Sequence, residues 1–439
     1  MEKHTNYKDT GIEWLGEIPE HWQLDRIKNI ASVKARVGWK ALKASEYLKS
    51  GYFFLSTPNI KNAKIDYENV NYITKERYIE SPEIMLKNED ILLVKDGSTL
   101  GIVNIVKNLK KKGTVNSSIA VLRLRKQNSK YFFYFLKSNY LQNIIGLKKE
   151  GMGVPHLFQK DINNFLLSIP PLEEQTQIAN YLDAKTAVID KKIKILQQKT
   201  KQYKAYRKTV INETVTKGLD KTVSLKDSGI NWIGEIPEHW EVKRLKDISK
   251  IFTGNSISDK SLFEVKKDTY SYIATKDINI HNKEVTYNNG VYIPKSDKSF
   301  KITKKDTSLI CLEGASAGKK LTFVDREVAF VNKLCAIKCF DKKVFDKYIF
   351  YFLQTNLFNS QFFELLSGVI GGVSLGLLKY FNILAPTKKE QQEIAGYLDA
   401  RTATIDSTLK NIETQITTLK ELRKTLINEV VTGKVKVME

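Results

Sequence analysis

The chain carries one text twice. Residues 9–22, Asp-Thr-Gly-Ile-Glu-Trp-Leu-Gly-Glu-Ile-Pro-Glu-His-Trp, return at 227–240 as Asp-Ser-Gly-Ile-Asn-Trp-Ile-Gly-Glu-Ile-Pro-Glu-His-Trp, a spacing of 218 residues. A second set repeats at a spacing of 216. Glu174, Gln175, Ile178, Ala179, Tyr181, Leu182, Asp183, Ala184, Ile189, Asp190, Arg207, Lys208, Ile211, Asn212 and Glu213 recur as Glu390, Gln391, Ile394, Ala395, Tyr397, Leu398, Asp399, Ala400, Ile405, Asp406, Arg423, Lys424, Ile427, Asn428 and Glu429. The intervening stretches diverge. Any fold must therefore hold two like scaffolds bearing two unlike inserts.

The second repeated set lies on stretches that read as long helices. After Pro170-Pro171 there is no proline, and no glycine before Gly218; Pro386 to Val431 is broken only by Gly396. Proline before and glycine after a periodic segment are start and stop signals. Leu182, Ile189, Leu196, Tyr203 and Val210 fall seven apart, beside a column of Ala179, Thr186, Ile193, Thr200 and Arg207. The second stretch matches with Leu398, Ile405, Ile412, Leu419 and Leu426 beside Ala395, Thr402, Leu409, Ile416 and Arg423. Seams of this period predict a coiled coil. Being of equal length, the helices are expected to pair antiparallel; two independent helices, each lying on its own domain, are the alternative.

The inserts, roughly 20–170 and 238–386, alternate short apolar runs with turns. Ile91–Val94, Gly101–Val106 and Ser118–Leu124 read as strands in the first, and Ser308–Leu312, Lys320–Val324 and Lys333–Ile337 in the second. An aromatic helical stretch follows each set, Tyr131–Leu136 and Tyr348–Leu353, at a spacing of 217. The expected class is α+β with a mostly antiparallel sheet. The boundaries fall at 1–170 and 219–386 for the domains, and at 171–218 and 387–433 for the helices.

Charge narrows the partner. Seventy-one Lys and Arg against 49 Asp and Glu leave +22. Such an excess favours a polyanion, whose condensed counterions are released on binding. No apolar run approaches the roughly 18 residues that span a bilayer, and the amino terminus is no secretory signal, so a cytoplasmic protein without a membrane partner is expected. Three cysteines, Cys311, Cys335 and Cys339, fit a reducing compartment; Cys335 and Cys339 share one strand face and read as small buried apolar residues.

Catalytic motifs are missing from the sequence. There is no amino-methyltransferase Asn/Asp-Pro-Pro-Tyr/Phe and no Gly-x-Gly-x-x-Gly after a strand. Gly314-Ala-Ser-Ala-Gly-Lys319 is one residue short of a phosphate loop and lacks its Ser/Thr. Glu241-Val-Lys243 and Glu264-Val-Lys266 lack the partner acid of a nuclease site. The five histidines show no metal-ligand spacing. Neither catalysis nor a bound metal is expected.

The repeated Gly-Glu-Ile-Pro-Glu-His-Trp, the Pro-Pro-Leu-Glu-Glu-Gln-x-x-Ile-Ala-x-Tyr-Leu-Asp helix start and the closing Arg-Lys-x-x-Ile-Asn-Glu-x-Val-Thr together resemble the specificity subunit of Type I restriction–modification enzymes, across the whole chain. The departure is Ala385-Pro-Thr-Lys-Lys-Glu-Gln391, which lacks the double proline and one acid. The resemblance implies two similar target recognition domains with mixed or antiparallel sheets, separated by two long antiparallel coiled-coil helices as a pseudo-twofold repeat. Each domain would read one half of a bipartite, asymmetric double-stranded DNA sequence, with the helices setting the spacer. Two modification subunits and the restriction subunits would be partners. S-adenosylmethionine, ATP and magnesium would belong to them, leaving this chain with no cofactor. A scaffold or general DNA binder without sequence preference is the alternative.

Base and phosphate contacts are expected from polar and basic residues on inter-strand loops. In the first domain these are Arg36, Trp39, Lys40, Asn59, Lys61, Asn62, Lys95, Ser98, Asn116 and His156. In the second they are Asn255, Lys276, Asn279, His281, Asn282, Lys283, Lys319, Lys320, Asn332 and Lys333. Trp22, Trp240, Tyr181, Asp183, Tyr397 and Asp399 are candidates for docking the modification subunits, with core anchoring as the other reading of the tryptophans. Lys191, Lys192, Lys194, Lys199, Lys201, Lys204 and Lys208 either line a DNA path or solvate the coil.

Overall fold

The structure is a computed structural model that describes residues 2–36, 42–62, 64–147, 155–230, 233–257, 268–366 and 371–437. It forms two units. The first comprises 1–196 with 414–439; the second is 197–413.

Both expected helices form, Leu172–Lys217 over 46 residues and Lys388–Val431 over 44. At about 1.5 Å per residue each runs roughly 65–70 Å. They are too polar to be held by propensity alone, so their stability must come from the packed seam. Every residue of the four heptad columns is buried or half-buried, while the lysines from Lys191 to Lys208 all face solvent. Gly218 stops the first helix at φ +74° and Gly433 follows the second at φ +73°. Glycine is needed there twice over: a Cβ on Gly433 would sit 2.3 Å from Pro19 Cδ, and one on Gly218 would lie 3.3 Å from Trp240 Cζ2.

In the first unit a four-stranded antiparallel sheet runs in the order Ala31–Lys34, Ile119–Leu124, Ile91–Val94, Val103–Ile105. Ile91–Val94 is buried on both faces, which is why it reads as an unbroken apolar run. Ile91 and Leu93 share one core with Tyr131, Phe132, Phe135 and the long-helix residues Ile178, Leu182, Ile427 and Val430. Leu92 and Val94 face the other way, toward Phe53, Leu55 and Val115. Those belong to a three-stranded sheet in which Tyr52–Leu55 pairs antiparallel with Asn71–Ile73 and parallel with Gly113–Val115.

The second unit repeats the plan. Its sheet runs Ser249–Thr253, Leu334–Cys339, Thr307–Cys311, Leu321–Val324. Leu309 and Cys311 serve one core, Ile310 and Leu312 the other. Its second sheet has four strands, with Thr269–Ile273 parallel to Val328–Phe330. Each unit thus joins an antiparallel four-stranded sheet to a second, mixed sheet, in line with the expected mostly antiparallel class. The parallel pairs join segments far apart in the chain, which local periodicity does not reveal.

Within each unit the long helices run antiparallel. In the first, Asp190 meets Arg423, and the Ser168 hydroxyl, just before the first helix, donates to the Val431 carbonyl at 3.0 Å. In the second, Arg207 meets Asp406, while Gly218 lies against Glu390. The repeated residues make this seam. Tyr131 donates to the carbonyls of Ser168 and Val431 at 2.8 and 3.0 Å; Tyr348 does so to Leu384 and Val215 at 3.0 and 3.4 Å. Gln175 and Gln391 each accept a backbone N–H, from Asn128 at 3.0 Å and Phe345 at 2.8 Å. Asn428 and Asn212 accept the N–H of Tyr140 and Asn356 at 3.0 and 2.9 Å.

Candidate nucleic-acid interface

One sheet edge in each unit is built from the same backbone hydrogen bonds. In the first, the Lys95 N–H donates to the Ser118 carbonyl, the Leu157 N–H to Lys95, the Gly97 N–H to Pro155, and the Asn116 N–H to Leu55. In the second, the Leu312 N–H donates to Lys333, Val373 to Leu312, Gly314 to Gly371, and Val331 to Ile273. The side chains at these matched positions differ: Lys95 against Leu312, Ser118 against Lys333, Asn116 against Val331, His156 against Gly372. A shared backbone thus carries unlike side chains: polar ones throughout the first unit and, in the second, the exposed Lys333 beside Val331, Gly372 and a Leu312 that is buried in the core.

In the first unit this edge gathers Lys95, Asn116 and His156. The His156 imidazole contacts Asp96, which also pairs with Lys95 at 3.2 Å. Ser98 is exposed on the adjoining turn. Lys61 and Asn62 are exposed on a separate loop, where Lys61 pairs with Asp66 at 2.7 Å. The Lys61 ammonium and the Asn69 side chain hold the Asp66 carboxyl well below the usual range. Asn59 is turned inward, its amide donating to the carbonyls of Asp66 and Asn69, so its work is to shape this loop. Arg36 is buried too, its guanidinium 3.9 Å from Glu80 and 5.8 Å from the centroid of Phe54. Trp39 and Lys40 lie outside the described residues.

The second unit brings more of its candidates together. An open cleft of about 990 Å³ is lined on one side by Lys204, Arg207, Lys208 and Lys410 of the long helices, and on the other by Asn279, His281, Asn282, Lys283 and Lys319. Its acids are Glu284, Asp406 and Glu413; Asp406 is held by Arg207, so the cleft keeps a cationic excess. Asn279 caps its own loop by accepting the His281 N–H at 2.8 Å. Lys283 donates to the carbonyls of Ile280 and Lys319, both at 2.9 Å. Burial, aided by the nearby Arg207 guanidinium, pushes the Lys283 ammonium down to about 8. In the first unit Lys137 donates to the Asn62 carbonyl and is likewise pushed down to about 8 by burial and Arg423.

Lys320 bonds the Thr275 carbonyl, Lys276 is exposed, and Asn332 and Lys333 are exposed on the matched sheet edge. Asn255 bridges to the segment 299–301, accepting the Lys301 N–H at 2.8 Å. Sequence reasoning missed Arg207 and Lys410, whose charges look like ordinary solvation on a polar helix, and Lys137, which ends the aromatic helix Ser129–Leu136.

The docking candidates divide. The Trp22 and Trp240 indoles have no exposed surface and anchor the two cores. Each Nε1–H donates at 3.1 Å to Glu174 or Glu390. Asp183 accepts from Tyr134 and Lys130, and Asp399 accepts from Tyr351 and lies 3.3 Å from Lys347, so both fasten a long helix to an aromatic one. Tyr181 is half-buried and Tyr397 exposed.

Comparison with known proteins decides what this repeat is. The profile described as the Type I restriction modification DNA specificity domain matches residues 19–204 and 237–418, one copy per repeat. The chain belongs to this family.

As a Type I specificity protein it has relatives over its whole length. It is 26% identical to the Type I restriction enzyme MjaVIII specificity subunit of Methanocaldococcus jannaschii, covering 99% of this chain and 97% of that one. It is 22% identical to the EcoKI specificity subunit of Escherichia coli, over 95% and 90%. Its fold is similar to that of a chain solved in work titled as the structural basis of complex assembly and conformational transition of the type I R-M system, at TM-score 0.74, 16% identity and coverage of 95% and 99%. It is also similar to the HsdS subunit from Thermoanaerobacter tengcongensis, at TM-score 0.53, 16% identity and coverage of 95% and 98%. Among the described residues, no helix is long and apolar enough to cross a membrane.

Proposed function

We propose that this specificity subunit reads a bipartite, asymmetric duplex sequence, one half per unit, and catalyses nothing itself. The readers correspond to residues 1–170 and 219–386; the helices at 171–218 and 387–433 set the spacer that neither reader touches. The observation carrying this reading is the matched sheet edge, where equivalent backbone bonds hold Lys95, Ser118, Asn116 and His156 in one unit and Leu312, Lys333, Val331 and Gly372 in the other. Two edges alike in backbone and unlike in side chains suit two different half-sites, since base edges are told apart by hydrogen bonds and by apolar contacts, and Lys333 and Val331 differ in both from Ser118 and Asn116. The +22 charge and the cationic cleft supply the sequence-independent attraction to phosphate.

Methyl transfer, ATP use and cleavage are assigned to modification and restriction subunits. S-adenosylmethionine, ATP and magnesium go with them, in keeping with a sequence that carries no methyltransferase, nucleotide or nuclease motif. The exposed Tyr397, rather than either buried tryptophan, offers the modification subunits a surface.

A footprint of the chain with its modification subunit on mixed duplexes tests the proposal. Two short protected base sets separated by unspecified pairs are expected. A uniform, sequence-blind footprint favours the general DNA binder, and turnover by the chain alone favours an enzyme.

A further inference from the structure

The His-Trp motif makes the same contacts in both units and gains a second histidine in the first only. In each unit the histidine Nε2 lies 2.9 Å from a helix-start glutamate, His21 from Glu174 and His239 from Glu390. In each, the neighbouring tryptophan donates to that carboxylate. The first unit adds His4, whose Nε2 is 3.8 Å from the other oxygen of Glu174. Its ring centroid is 5.6 Å from that of His21. At the position matching His4 the second repeat has Thr222, whose hydroxyl bonds Asp220 at 2.7 Å.

We propose that His4, His21 and Glu174 form a site for one divalent transition-metal ion of the zinc class. The donor set is two imidazoles and one carboxylate, the type zinc takes when it keeps an open fourth position. One ligand atom from each of the three lies within 4.8 Å of the others, the only such group among the described residues. Bonds of about 2.0–2.2 Å in a tetrahedron put ligand atoms about 3.4 Å apart. The 2.9 and 3.8 Å separations to Glu174 straddle that value, and a nitrogen of each imidazole lies within 4.8 Å of one on the other. The Trp22 N–H, at 3.1 Å from Glu174 Oε2, the oxygen that His21 also faces, fixes the orientation of the carboxylate.

Access is asymmetric: the His4 side chain is 8% exposed and that of His21 51%. The three line an open cleft with Glu173, Gln177 and Lys436. Glu173 adds negative charge beside the site, and the Lys436 ammonium opposes a cation. An ion here would pin the amino-terminal segment to the start of the first long helix. The inference does not depend on how DNA is read.

The test uses the full-length chain without an affinity tag, stripped with chelator and titrated with zinc or cobalt chloride. One equivalent is expected to bind. Cobalt should give weak visible bands without thiolate charge transfer, which separates this site from the cysteines. Zinc should raise the unfolding temperature. His4→Thr, which installs the second repeat's own residue, should weaken binding at least about tenfold and abolish the thermal shift. His21→Gln, at a half-exposed position, should do the same. Absence of binding, equal binding by both variants, or a thiolate-to-cobalt band would overturn the proposal.

Discussion

Arg423, near the end of the second long helix, lies 3.0 Å from Asp190 of the first, and Arg207 of the first lies 3.0 Å from Asp406 of the second. Each pair joins a motif residue of one repeat to a motif residue of the other, within one unit. Tyr131 likewise caps Val431, and Tyr348 caps Val215. Each core is therefore closed by the helix end of the opposite repeat. The two copies of the motif must match each other as well as their own domains.

The two ion pairs differ in burial, and their loss should differ too. Arg207 is 12% exposed and makes several hydrogen bonds to Asp406 and one to Gln354. Arg207→Ala should cost about 1.5–3 kcal/mol, as for a hydrogen-bonded charge. The Asp190 side of the other pair is 55% exposed, so Arg423→Ala should cost less than about 1 kcal/mol. Urea unfolding of both variants checks the order.

Tyr131→Phe keeps the ring and removes one hydroxyl that serves two carbonyls. The Val431 carbonyl keeps the Ser168 hydroxyl as a donor, so the loss falls mainly on the buried Ser168 carbonyl and should cost about 1–3 kcal/mol, with Tyr348→Phe similar. The predicted reading is a lowered denaturation midpoint at unchanged m-value.

The half-buried Lys283 ammonium should make DNA binding pH-dependent. Its folded value of about 8 lies below the unfolded one of about 10.4. Between those values the unfolded state holds more protons, so on this account stability rises with pH over that window. Affinity for DNA should move oppositely, falling as pH passes about 8 because the cation facing phosphate is lost. Lys283→Arg should flatten that fall, and Lys283→Gln should reduce the salt slope by about one. Fluorescence anisotropy from pH 7 to 9 checks both.

A stiff helical pair can hold a fixed stand-off where a flexible linker cannot. Adding one heptad to each long helix should lengthen the tolerated spacer and leave both half-sites unchanged. Selection of bound duplexes from a random-spacer pool reads this directly; altered half-sites would remove the helices from that role.

Much of the scaffold was legible because it is periodic. Leu182, Ile189, Leu398 and Ile405 recur every seven residues and all turn inward, and Gly218 and Gly433 mark the stops. The double-sided burial of Ile91–Val94 also shows in its unbroken apolar run. What stayed hidden depends on distant pairings. The parallel alignment of Tyr52–Leu55 with Gly113–Val115 leaves no local signal, nor does the meeting of His4 with Glu174. Among the DNA candidates, residue type alone did not separate Asn59, which holds its own loop, from Asn282, which lines the cleft.

The most direct measurement is the methylated motif mapped in cells before and after Lys95→Leu with His156→Gly, which gives the first unit the second unit's residues on an unchanged backbone. The account predicts that one half of the motif changes or relaxes while the other half and the spacer stay the same. Methylation continuing at an unaltered motif, or both halves changing together, would contradict it.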